Sequence, residues 1–160
     1  MIKEQKTILG LGLVALLIIA GGVIAWQMKI FEPTPAKLSN AVLMVSPEKF
    51  NFGDVSMARG NVSAKFELKN DSDEPLNISE IKTSCMCTVA EVDGKTFGMH
   101  GNNETNIILP AKSSKEMLVT FDPNAHGPDA VGPITRVISI RTNSGISPPK
   151  EIYVTGNVVK

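Results

Sequence analysis

Aromatic residues are scarce in this 160-residue chain, which has one Trp, one Tyr and six Phe, and thiol and imidazole groups are scarcer still, with two Cys and two His. Basic and acidic side chains balance at 16 each, so there is no strong field of one sign to gather nucleic acid. Setting residues 1–30 aside leaves a slightly acidic remainder, and no nucleic-acid partner is expected. The chain lacks a Gly-x-Ser-x-Gly elbow, a phosphate-binding glycine loop, a dinucleotide fingerprint and a His-Glu-x-x-His helix. Its carboxylates are scattered over turn-like stretches as solvated charges. These absences point away from an enzyme. The two Cys are only two residues apart and Trp26 falls in an apolar N-terminal run, which excludes an antibody-type core with its intersheet bridge and packed Trp.

What is present begins with that run. Residues 8–27 carry no charge, follow Lys3 and Lys6, and end at Trp26 with Lys29 just beyond. The segment is long enough to span a bilayer, with basic residues on the cytoplasmic side and an aromatic at the far interface. A cleaved leader is the competing reading, since Val23-Ile24-Ala25 loosely resembles a small-x-small site. The run is longer than a leader's usual apolar region, however, and the context at Trp26 suits cleavage poorly. The sequence therefore predicts a cytoplasmic stub (1–7), a single-pass anchor in the cell membrane (8–27), a Pro-containing linker (28–41) and an extracytoplasmic domain (42–160).

Within that domain, short β-branched and apolar runs alternate with turn clusters about every ten residues, and helix signals are nearly absent. Strands are predicted at 42–45, 62–68, 76–81, 106–109, 116–121, 134–140 and 151–158, giving an all-β, immunoglobulin-like antiparallel sandwich of seven or eight strands preceded by one N-terminal transmembrane helix. Residues 93–105 and 123–133 read as long irregular loops, where function tends to lie. In the segment 134–140 the inward-reading stripe Ile134, Arg136, Ile138 and Ile140 contains a charge, which places Arg136 at a sheet mouth or edge.

The motifs FNFGDV (50–55), FELKNDSDEPLNI (66–78), SCMCT (84–88), LVTFDP (118–123), ITRVISIRTN (134–143) and IYVTGNV (152–158) together resemble the bacterial domain-of-unknown-function family 1573. Members of that family look like relatives of Hydin-type and major-sperm-protein-type immunoglobulin-like domains. The resemblance spans residues 45–158, with Met86 where the family usually has Gly between the cysteines. The segments FGMHG (97–101) and DPNAHG (122–127) resemble a membrane-anchored subgroup. Hydin-type and sperm-protein-type domains serve as binding and scaffolding units, so the resemblance implies a non-catalytic interaction module with an envelope protein as partner.

Cys85 and Cys87, on a regular strand, would stand with Cα atoms about 6.6 Å apart and side chains on one face, which allows a disulfide only if the backbone bends. As free thiols they form a chelate for a soft ion, Cu(I) ahead of zinc. Both histidines fall in the two long loops. His126 is the leading third ligand, with Met99 and His100 as further candidates, while Met86 is expected to point to the opposite face. Soft-metal binding, with copper handling as its role, is the main functional expectation. Redox thiol chemistry and a plain interaction or scaffold domain are the alternatives.

Overall fold

In the computed structural model, residues 37–160 are described. The expected membrane anchor and cytoplasmic stub lie outside them, and among the described residues no helix is long and apolar enough to cross a membrane. The strands are β1 (Leu43–Ser46), β2 (Lys49–Ser56), β3 (Val62–Asn70), β4 (Leu76–Thr83), β5 (Thr88–Val92), β6 (Lys95–Phe97), β7 (Glu104–Leu109), β8 (Ser113–Phe121), β9 (Gly132–Thr142) and β10 (Lys150–Val159). They form two five-stranded sheets in the orders β1-β3-β8-β5-β6 and β2-β10-β9-β4-β7.

Period-two patterning builds the interior. On β3, Ala64, Phe66 and Leu68 are buried while the residues between them face out. Met117 and Val119 of β8 extend this apolar face. Opposite them, Ile78 and Ile81 of β4, Ile138 and Ile140 of β9, and Ile152 and Val154 of β10 complete one main core. Each large side chain buried there contributes roughly 2 kcal/mol.

Ten strands replace the seven or eight expected, and the sandwich is not wholly antiparallel. β2 was hidden in the sequence because Asn51, Gly53 and Asp54 interrupt its apolar pattern. It is an edge strand that pairs in parallel with β10, with a register shift between Thr155 and Asn157. β2 and β10 approach closely there: a Cβ at Gly156 would stand 3.2 Å from the Gly53 carbonyl oxygen, a tight contact that glycine avoids. β6 lies inside the stretch read as an irregular loop, and its three residues are held by β5 through pairs such as Ala90 with Phe97.

The chain joins the sandwich through a bridge between Ser39 and Ser144, near the end where β3 finishes at Asn70 and β9 at Thr142. The opposite end carries a second, smaller apolar cluster of Val55, Cys85, Cys87, Phe121 and Val158. The nine residues of β3 separate the two ends by about 25 Å.

Candidate functional site

The two cysteines do not lie on a strand. β4 ends at Thr83 and β5 begins at Thr88, and the intervening Ser84-Cys85-Met86-Cys87 segment turns sharply. The Thr88 amide donates to the Cys85 carbonyl (3.1 Å), closing the turn. The buried Thr83 hydroxyl stands within reach of the carbonyls of Cys85 (3.1 Å) and Thr88 (2.9 Å). Ser84 is pinned to β9 by two bonds: its amide donates to the Val137 carbonyl (2.9 Å) and its hydroxyl accepts from the Val137 amide (2.9 Å). The Asp122 amide donates to the Cys87 carbonyl (2.8 Å), tying the turn to the end of β8. This bend brings the two Cα atoms to 5.2 Å, and Cys85 and Cys87 are joined in a disulfide. The expectation of two free thiols presented from a regular strand is corrected accordingly. Met86 is thrown outward at the apex, 62% exposed.

His126 is brought to this turn from the β8–β9 connection. That loop is shaped by an Asx turn in which the Asn124 amide donates to Asp122 Oδ1 (2.8 Å), and Asn124 Nδ2 fastens it to the Met57 carbonyl (3.1 Å). The result places His126 Nε2 3.1 Å from Cys85 Sγ. A bridged sulfur has no proton to give, so the imidazole is the donor. Donor atoms of Cys85, Cys87 and His126 all lie within 4.8 Å of one another, a grouping able to hold a metal ion. His100 stands outside it. Met99 and His100 occupy the connection from β6 to β7, where the Thr83 amide donates to the Gly98 carbonyl (3.2 Å), and Met99 is 38% exposed.

Arg136 was not among the expected site residues. It follows the inward register of β9, and its side chain lies over the Phe121 ring (5.9 Å to the centroid). From there Nε donates to Cys87 Sγ at 3.0 Å. The sequence did carry a signal for it, namely the single charge within the apolar stripe of β9. The two sulfurs differ in their neighbours: Cys85 Sγ has the exposed imidazole and the Cys87 amide, which donates to it at 3.2 Å, while Cys87 Sγ has the half-buried guanidinium and, at 3.6 Å, the Thr88 hydroxyl.

Comparison with known proteins places this geometry. The model of a family described as "Protein of unknown function (DUF1573)" matches residues 43–158. No curated protein matches the chain. Among solved structures, a protein of unknown function from Porphyromonas gingivalis W83 is similar with a TM-score of 0.60 and 19% identity, over 77% of this chain and 50% of that one. The chain therefore spans half the length of that protein. PapD-like domain 7 of human CEP192 is similar with a TM-score of 0.50 and 10% identity, over 81% of this chain and 94% of that domain. The VesB protease of Vibrio cholerae is similar with a TM-score of 0.51 and 14% identity, over 74% of this chain and 32% of the protease. At these identities the likenesses establish an immunoglobulin-like, PapD-like sandwich.

Proposed function

The chain belongs to the DUF1573 family, and from that premise we propose that it is a non-catalytic protein-interaction module of the cell envelope, anchored in the membrane by residues 8–27 with its sandwich on the extracytoplasmic side. The observation that carries this reading is the set of apolar side chains exposed at the loop end. Met86 is 62% exposed, Val131 50% and Met99 38%, one on each of three connections around the cysteine turn. The other end exposes Leu38 (72%) and Ile146 (63%) beside the Ser39–Ser144 bridge, and it is the loop end, away from that entry, that we assign as the contact surface. That end is remote from Ser39, where the chain joins the sandwich. The bridged cysteine pair supports an oxidising compartment.

Affinity capture from native membranes tests the reading. Met86→Glu combined with Val131→Glu should abolish recovery of a specific partner, while the Cys85→Ser, Cys87→Ser double variant should retain it. Undiminished capture by the glutamate variant would contradict the assignment of the surface.

One observation favours a second reading, the convergence of Cys85, Cys87 and His126 within 4.8 Å. Once reduced, two thiolates and an imidazole suit a soft ion, and with three donors rather than four they suit Cu(I) better than zinc. Copper delivery at the membrane would be the role. The bridge must open and Arg136 must turn from Cys87 before an ion enters, because a guanidinium beside the ligand opposes a second cation. Anaerobically reduced protein should then compete with a chelator for Cu(I), and Cys85→Ser should lose that uptake. No uptake by the reduced wild type would eliminate this reading.

A further inference from the structure

We infer that Cys85–Cys87 is a reversible dithiol–disulfide centre, opened at the Cys85 sulfur by a protein dithiol, with the departing Cys87 thiolate received by the Arg136 guanidinium. The inference stands apart from both readings above, since it requires neither the apolar docking surface nor a metal.

The two sulfurs differ in access. Cys87 is 2% exposed and belongs to the cluster containing Phe121, Val55 and Val158. Cys85 is 9% exposed, adjoins the outward Met86, and has the exposed His126 as its neighbour. An incoming sulfur reaches the bridge at Cys85. Thiol–disulfide exchange proceeds along the axis of the bond being broken, so attack at one sulfur makes the other the leaving group. Here the leaving group is the inner one.

That inner sulfur is where the fixed positive charge sits. Arg136 Nε already donates to Cys87 Sγ at 3.0 Å, and arginine keeps its charge throughout the accessible pH range. When the bond breaks, the electron pair settles on Cys87 beside a guanidinium already in place, in an apolar setting where the attraction is stronger than in water. A bridge serving only to fasten the chain has no use for a cation aimed at one sulfur. This bridge also fastens little, because the turn it spans is closed independently by the Thr88 amide on the Cys85 carbonyl and by the Thr83 hydroxyl. The same backbone therefore accommodates the oxidised and the reduced pair.

The step balances with a protein dithiol as reductant. One partner thiol, having lost its proton, bonds to Cys85 Sγ as the Cys85–Cys87 bond breaks and the electron pair moves to Cys87 Sγ. The partner's second thiolate then attacks the partner sulfur in the mixed disulfide and expels Cys85 as a thiolate. Two electrons and the two protons released by the partner end on Cys85 and Cys87, and the partner leaves as a disulfide. The reverse sequence returns the pair to its bridged form.

The test uses the oxidised full-length chain in detergent micelles, with a metal chelator present and dithiothreitol as the probe dithiol. Reduction is followed by the mass added on thiol alkylation while circular dichroism reports the fold. The wild type should be reduced in its folded state, Arg136→Gln roughly tenfold more slowly, and Arg136→Lys should recover most of the rate. With reduced glutathione in place of dithiothreitol and the products alkylated at once, fragment-ion masses should place the glutathione on Cys85 and the alkyl group on Cys87. If Arg136→Gln loses its fold, this assignment in the wild type decides. A bridge reduced only on denaturation, equal rates for wild type and folded Arg136→Gln, or glutathione found on Cys87 would overturn the inference.

Discussion

Arg136 Nε lies 3.0 Å from Cys87 Sγ, so a charged residue on the inward register of a central strand is directed at one sulfur of a bridge. Its other close partners are the Thr135 carbonyl, at 2.9 Å from Nη1, and the Phe121 ring. Half-buried and without a carboxylate partner among the described residues, this guanidinium contributes little to folding. Arg136→Leu should therefore change stability by no more than about 1 kcal/mol in urea unfolding. A loss above about 3 kcal/mol would assign the arginine to the fold instead.

The disulfide itself should matter modestly to stability. Cys85 and Cys87 are two residues apart, and closing so short a loop removes little freedom from the unfolded chain, about 1.5 kcal/mol on the loop-entropy scale. The Cys85→Ser, Cys87→Ser double variant should fold, with its denaturation midpoint only slightly lowered. Failure of that variant to fold would show the bridge to be structural.

A buried polar hub secures the other end. Asn70 is fully buried, its Nδ2 lies within 3.1 Å of the carbonyls of Glu74, Leu109 and Pro110, and its Oδ1 accepts from the Ser72 amide at 3.1 Å. Asn70→Ala leaves several buried backbone groups without a partner and should cost about 3 kcal/mol. A cost below about 1 kcal/mol would mean that water replaces the amide freely.

Much of the sandwich was legible because β3, β8, β9 and β10 alternate cleanly, and a strand with one buried face announces its period. The edge strand β2 was not, since its stability comes from parallel pairing to β10, a long-range relation that no local pattern carries. At the site, Cys85, Cys87 and His126 were legible as residue types placed near two loops. Their bridged state was not, because it depends on the turn set by Thr83, Thr88 and the Val137 backbone. Arg136 was visible as an anomaly in a stripe, but its target lay 49 residues away in sequence.

The Glu48 carboxyl is held below its ordinary value of 4.5 by its hydrogen bond and charge attraction to Lys150. A carboxyl with a lowered folded value adds stability above the unfolded value and loses it as pH falls through the folded one. The pair, which joins the turn before β2 to the start of β10, should therefore act above about pH 4.5 and fade on further acidification. Lys150→Met should move the Glu48 titration, followed by carbon NMR, back toward the ordinary value. An unchanged titration would show that Lys150 is not the cause.

The most direct test of the interaction module is site-specific photocrosslinking in native membranes, with the reactive side chain placed at Met86 on the loop end or at Glu116 on the outer face of β8. The account predicts one discrete protein adduct from position 86, lost when Val131→Glu is added, and none from position 116. Adducts of equal yield from both positions, or from position 116 alone, would contradict it.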